Sequence, residues 1–290
     1  MRRPGFNCGS GGRPIACLTP GDIEVLQRYW WGVALLMATA SPLHAEERDY
    51  CPTRPGLGIT PCTIAPKHVS VEVALTDWTL DNQPDRRTDA LLGGDTAVRI
   101  GLTDSVEAQF GWTPYAHVRT RDKASQSVAT AKGVGDATIG FKANLLHPDG
   151  AGLSIAVQPF VTIPVARVPL GAGNWGGGII APVTFDVTKA LNLAATTEVD
   201  AAVDGDGMGR HIAYSEIAGL DIKIARTLSA TFEAEVLRDE DPAGKTTQAL
   251  ASGSLAWRAK DTLQFDAGAV AGLNRAAPDV ELYVGVSQRF

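Results

Sequence analysis

A chain of 290 residues with 31 glycines, 20 % charged residues and a formal net charge of −6 has room for one large domain or two ordinary ones. The acidic balance, and the lack of any Lys/Arg cluster able to track phosphates, argue against a nucleic-acid partner. A soluble enzyme can share this composition, so the order of the residues has to decide.

The N-terminal stretch "YWWGVALLMATASPLHA" places an apolar run from Trp30 to Ala40 after Arg28 and follows it with small residues. That is the layout of a secretory h-region and cleavage zone. Cleavage is expected after Ala45, with Ala40 as second choice, so residues 1–45 form the signal-peptide region. The run is far shorter than the ~20 residues a spanning helix requires. Residues 1–25 are too long and mixed for an n-region, which points to a true start near Val25 or Leu26.

Export changes the meaning of the cysteines in the next segment, residues 46–67. Cys51 and Cys62 flank a Pro/Gly-rich loop in "CPTRPGLGITPC", and in an oxidising compartment they read as one disulfide. Such a bond contributes on the order of 3 kcal/mol by loop closure. His68 alone cannot complete a metal set beside them, so neither a metal nor a cofactor is expected. By chain order the segment is a candidate periplasmic plug, tucked under or into whatever follows.

From His68 to Phe290, period-two alternation recurs and no stretch keeps an apolar stripe at helical period. Twelve runs can be delimited, from "HVSVEVALTDWTL" to "DVELYVGVSQRF". Each is roughly 11–14 residues, where a soluble strand is usually about 5–6 and a tilted bilayer-crossing strand about 9–11. The connections alternate as well. "HPDG", "KA" and "KD" are short; "DNQPDRRTDA", "AHVRTRDKASQSVATAK", "ARVPLGAGNWG" and "DGDGMGR" are long. Short turns on one side and long loops on the other predict an all-β transmembrane antiparallel barrel over 68–290, with about twelve strands in an up-and-down meander. The loops at 115–132 and 164–177 would frame its outer entrance.

Parity sorts the faces. Phe110, Ile139, Phe141, Phe185, Phe232, Val236 and Leu255 fall on the apolar side, with Trp112 near the outer rim and Trp257, Phe265 and Phe290 near the inner one. Inward fall Glu72, Asp95, Arg99, Glu107, Asp136, Lys142, Glu198, Asp200, Glu233, Glu235, Asp266, Glu281 and Arg289. Acidic residues outnumber basic ones there, and a water-filled lumen of that sign favours cations and neutral solutes over anions; the alternative is that the charges pair with Arg99, Lys142, Lys223, Arg258 and Arg289 and pack the interior shut. Trp78 and Glu216 sit on the wrong parity, which a bulge or an end effect would explain.

Other motifs carry less. "GAGNWG" (Gly171, Gly173, Gly176) has the letters of a dinucleotide fingerprint but precedes a strand instead of opening a helix. "DGDGMGR" spaces Asp204 and Asp206 like the start of a calcium loop and lacks the third ligand and closing Glu. With "RDEDP" it offers carboxylates to cations bridging lipid headgroups. His211 and Ser215 share a strand face but stand roughly 13 Å apart at 3.3 Å per residue, too far for a nucleophile and its base, which leaves a cross-strand partner of His211 or His117 as the route to a hydrolase.

The phrases "GDTAVRIGLTDSVEAQFGWTPY", "GVGDATIGFKANLL", "AVQPFVTIPV" and "LRDEDPAGKTTQALASGSLAW" resemble the outer-membrane barrels of the phenol meta-pathway transporter family. The resemblance runs from about Val69 to Phe290 and implies an outer-membrane protein passing small, often aromatic or hydrophobic, compounds. The expected function is therefore passive uptake through an acidic lumen, without enzymatic activity. The expected partners are outer-membrane lipid, a small-molecule solute, and the barrel-assembly machinery acting on the C-terminal strand. A lipid hydrolase and a non-conducting structural or adhesive barrel are the alternatives.

Overall fold

The structure, a computed structural model, describes residues 48–290; the expected signal peptide and its cleavage site lie outside the described residues. Strand segments follow one another without a helix among the described residues: β1 (Val69–Asn82), β2 (Arg86–Gly101), β3 (Val106–Trp112), β4 (Tyr115–Asp122), β5 (Val128–Gly133), β6 (Ala137–Leu146) and β7 (Leu153–Ile163). They continue with β8 (Gly176–Thr188), β9 (Leu191–Val203), β10 (Arg210–Lys223), β11 (Leu228–Asp239), β12 (Thr246–Lys260), β13 (Leu263–Gly272) and β14 (Val280–Arg289). All pair antiparallel with their neighbours, and β1 pairs with both β2 and β14, so the sheet closes on itself. β3 lies along one half of β2 and β4 along the other. β6 and β5 face them in turn. The fourteen segments are thus twelve staves, two of them interrupted once.

Two connections are shorter than the sequence suggests. Residues 115–132 are largely strand: β4 and β5 pair from Ala116↔Gly133 to Arg121↔Val128. β1 and β2 likewise run on until only residues 83–85 remain between them. Once the staves below hold both chain ends at pairing distance, extending the ladder upward satisfies backbone groups at little further entropic cost.

The interruptions lie side by side. β1 bulges between Ala74 and Thr76 against β14, Gly94 in β2 has φ 70°, and Thr113–Pro114 and residues 134–136 break the next two staves. Proline has no N–H to give a ladder, and glycine is the residue that adopts positive φ without strain. The β1 bulge shifts the phase of everything after it, so that Asp77 pairs with Tyr283 and Trp78 with Leu282. Trp78 thereby joins the apolar side, and its parity conflict disappears. Glu216 stays outward: it is exposed, opposite Val236 and Thr197, and accepts a 2.8 Å hydrogen bond from Thr197 Oγ1.

The faces are inverted relative to a soluble barrel. Phe110, Ile139, Phe141, Phe185, Phe232, Leu255 and Leu282 are exposed, whereas Ser70, Glu72, Arg99, Glu107, Lys142, Ser154 and Ser287 are buried. Only a bilayer around the outside makes that arrangement favourable. Phe290 closes the seam: its N–H donates to Val69 O at 2.8 Å and its carbonyl accepts from Val69 N at 3.1 Å. Replacing Phe232 by Arg in mid-strand is expected to cost about 2–4 kcal/mol, read as the urea midpoint of the barrel folded into vesicles. An unchanged midpoint would contradict a hydrocarbon contact there.

Candidate functional site

The lumen is built around the segment that precedes β1. Residues 48–67 contain no strand, and their prolines and glycines explain why they do not add one. Their backbone groups still need partners, and the inward side chains supply them. Glu72 Oε2 accepts from Thr53 N and Arg54 N at 2.9 and 3.1 Å. Glu233 accepts from Leu57 N and Gly58 N at 2.7 and 2.9 Å, and Glu107 from Ile64 N at 2.7 Å. On the carbonyl side, Lys142 Nζ donates to Thr60 O at 2.8 Å and Asn144 Nδ2 to Pro61 O at 2.9 Å. Arg258 reaches Tyr50 O at 3.0 Å and Gln264 reaches Arg54 O at 2.8 Å. Carboxylates meet N–H groups, and cations and amides meet carbonyls, so the segment is seated inside the barrel by bonds most of which are charge-assisted. Gly56 (φ 128°) passes so close that a Cβ there would lie 2.8 Å from Glu233 Oε2.

Arg99 is the centre of this seat. Its side chain is 1 % exposed, and every arm of the guanidinium is used. Nε donates to Glu107 Oε1 at 2.8 Å and Nη2 to Glu107 Oε2 at 3.0 Å. Nη1 donates to Glu72 Oε1 and to Cys51 O, both at 2.9 Å, and Nη2 also to Cys62 O at 3.1 Å. One arginine therefore holds both carbonyls of the Cys51–Cys62 disulfide. Lys142 Nζ stands 3.5 Å from Glu107 Oε1. Further round, Arg54 pairs with Asp266 at 2.9 Å and lies 5.3 Å from the Tyr283 ring centre. Arg289 donates to Arg48 O and lies over the Tyr50 ring. Burial pushes the Tyr50 phenol up, so it stays protonated and shares a 2.8 Å hydrogen bond with Ser70.

The inward charges named from sequence thus divide in two. Glu72, Arg99, Glu107, Lys142, Glu233, Asp266 and Arg289 face the inner segment in the half of the barrel nearer the short turns. Asp95, Glu198, Asp200, Glu235 and Glu281 have no hydrogen bond to that segment; they belong to the other half, with Asp77 beside Glu281 as a further carboxylate. Thr113 Oγ1 donates to Asp95 at 2.6 Å. Asp136 does something different, accepting from Ala166 N and Ala172 N at 2.9 and 2.7 Å and pinning the 164–175 loop. On the outer surface Trp112 is exposed at the end of β3, while Trp257 and Phe265 stack at 5.8 Å towards the short-turn end. Parity places Gln264 inward, as found, whereas sequence reasoning missed Tyr50, Arg54 and Asn144; for Asn144, a buried inward amide opposite a Pro/Gly-rich segment is the signal that could have found it.

The seated segment does not fill the barrel. Beside it, against β8–β13, lies a cavity of about 550 Å³ whose wall includes Thr184, Asn192, Thr196, Asp221, Thr231 and Arg258. It reaches the short turns at Lys189–Ala190 and Arg226–Thr227.

A closed twelve-stave barrel with an apolar outside and a charged interior is an outer-membrane β-barrel. Over residues 53–290 the sequence matches the family described as "Putative MetA-pathway of phenol degradation", and the chain belongs to that family. Among solved structures, the NanC porin superposes with a TM-score of 0.48 at 10 % identity, covering 76 % of this chain and 98 % of that one. The CymD monoaromatic hydrocarbon channel gives 0.44 at 7 % identity, covering 78 % and 88 %. The translocator domain of the autotransporter NalP from Neisseria meningitidis gives 0.45 at 11 % identity, covering 93 % and 98 %. No curated protein matches the sequence.

Proposed function

We propose that the protein is a passive outer-membrane channel for small, polar or aromatic neutral solutes and cations. The observation that supports it best is the partial filling of the lumen: a fixed segment on one side, and a cavity of about 550 Å³ beside it that reaches the short-turn end. A solute entering between the outer loops would pass Asp95, Glu198, Asp200, Glu235 and Glu281 and then slip past the segment along β8–β13. Carboxylates lining a narrow aqueous path repel anions and concentrate cations. The family's link to phenol degradation favours aromatic cargo. Outer-membrane lipid and the barrel-assembly machinery, acting through β14, are the partners this reading requires.

The hydrolase alternative needs a serine in reach of a histidine, and the partners of His211 are Asp204 and Asp239. A purely structural barrel would leave the cavity without a role. Proteoliposome swelling distinguishes these. Hydroxylated benzamides are expected to permeate faster than benzoate-type anions of equal size, and the reversal potential in a salt gradient to indicate cation preference. Swelling no faster than in protein-free vesicles for every solute would reject the channel.

A further inference from the structure

The outer ends of two neighbouring hairpins carry a cluster that solute passage does not use. His211, the second residue of β10, has a side chain only 5 % exposed. Its Nδ1 lies 2.9 Å from Asp204 Oδ1 in the β9–β10 loop. Its Nε2 points the other way, 3.1 Å from Asp239 Oδ1 at the end of β11, without the alignment of a hydrogen bond and, among the described residues, with no other hydrogen-bond partner. One ligand atom from each of His211, Asp239 and Asp241 lies within 4.8 Å of the others. The carboxylates are held in place by backbone. Asp241 accepts from Gly205 N and Ala243 N, both at 2.7 Å, and Asp239 Oδ1 accepts from Asp241 N at 2.9 Å.

We propose that His211 Nε2, Asp239 and Asp241 bind a divalent first-row metal ion of the zinc type, joining the β9–β10 and β11–β12 hairpins at the outer mouth. When Nδ1–H donates to Asp204, Nε2 presents a lone pair, and a buried lone pair aimed between two carboxylates is repelled unless a proton or a metal cation stands among them; without a hydrogen-bond alignment to Asp239, the geometry favours the metal. Asp204 is then the outer carboxylate that sets the imidazole tautomer and orientation, the usual support of a metal-bound histidine. The donor set of one imidazole and two carboxylates suits zinc-like ions, while calcium and magnesium take oxygen ligands. Bonds of about 2.0–2.2 Å require only a modest contraction of the cluster. The Asp239 side chain is 33 % exposed, which leaves an entry path and room for water to complete the coordination.

The test uses the mature chain folded in detergent, free of any affinity tag, stripped with chelator and titrated with cobalt(II). One equivalent is expected, with visible d–d absorption that zinc(II) displaces. His211→Ala and Asp241→Asn abolish the absorption. Asp204→Asn weakens binding about 10–100-fold. Asp149→Asn, at an exposed position in the turn between β6 and β7, changes nothing. Each variant's heat-modifiable gel migration shows that it is folded, and Asp241→Asn stands alone if His211→Ala is not. No cobalt(II) retained by the wild type, or retention unaffected by Asp241→Asn, overturns the site.

Discussion

Removal of residues 49–62 is expected to raise single-channel conductance several-fold and to make the pore more cation-selective. The deleted stretch holds most of the segment that occupies the short-turn half of the lumen, so the open cross-section there increases. Selectivity follows from what the segment neutralises. Glu72 and Glu233 accept its backbone N–H groups, and Asp266 is paired with Arg54 while its side chain is wholly buried. Without the segment these three carboxylates face water and add to the acidic band above them. The barrel should still form, because its closure runs through the β1–β14 and β1–β2 ladders and no rung of the sheet passes through the segment. Planar-bilayer recording with ion gradients gives the result. Conductance equal to the wild type would show that the segment is no obstruction.

Replacing Arg99 by Met should destabilise the seat by about 3–5 kcal/mol, the cost of stripping the cation from a buried ion pair. Glu72 and Glu107 would remain buried near one another with Lys142 alone, 3.5 Å from Glu107. The carbonyls of Cys51 and Cys62 would also lose their donors. The segment is therefore expected to detach at lower urea than the barrel unfolds. Protease cleavage within 48–67 and faster reduction of the disulfide report that detachment. Adding Glu72→Gln and Glu107→Gln should recover much of the loss, since the penalty lies in the orphaned charges more than in the missing arginine. Arg99→Lys should fall between, because an ammonium restores charge but not the fork that reaches four acceptor groups at once. A seat as resistant in Arg99→Met as in the wild type would show that Arg99 does not hold it.

Much of the architecture could be read from residue order. Alternation over Val106–Trp112 or Phe232–Val236 forces one face to be apolar, and the length of the runs exceeds what a soluble sheet uses. Unequal connections then distinguish the two ends. Two features depart from simple alternation, one through a local bulge and one through long-range pairing. Trp78 falls on the wrong parity because one bulge at Leu75 reverses every residue after it, and residues 115–132 read as a loop because their pairing depends on staves below them. No bulge accounts for Glu216: β10 runs in unbroken register through it, and the carboxylate faces outward, bonded to Thr197.

The inward charges illustrate the boundary most clearly. Alternation alone determined that Glu72, Arg99, Glu233 and Asp266 point inward and that an apolar surface surrounds them, since successive side chains of a strand must take opposite faces. Whether each carboxylate meets water or a backbone N–H was decided by the tertiary structure. Arg54 and Asp266 are 212 residues apart in the chain, and no local periodicity encodes a contact that exists only after twelve staves have closed around an irregular segment.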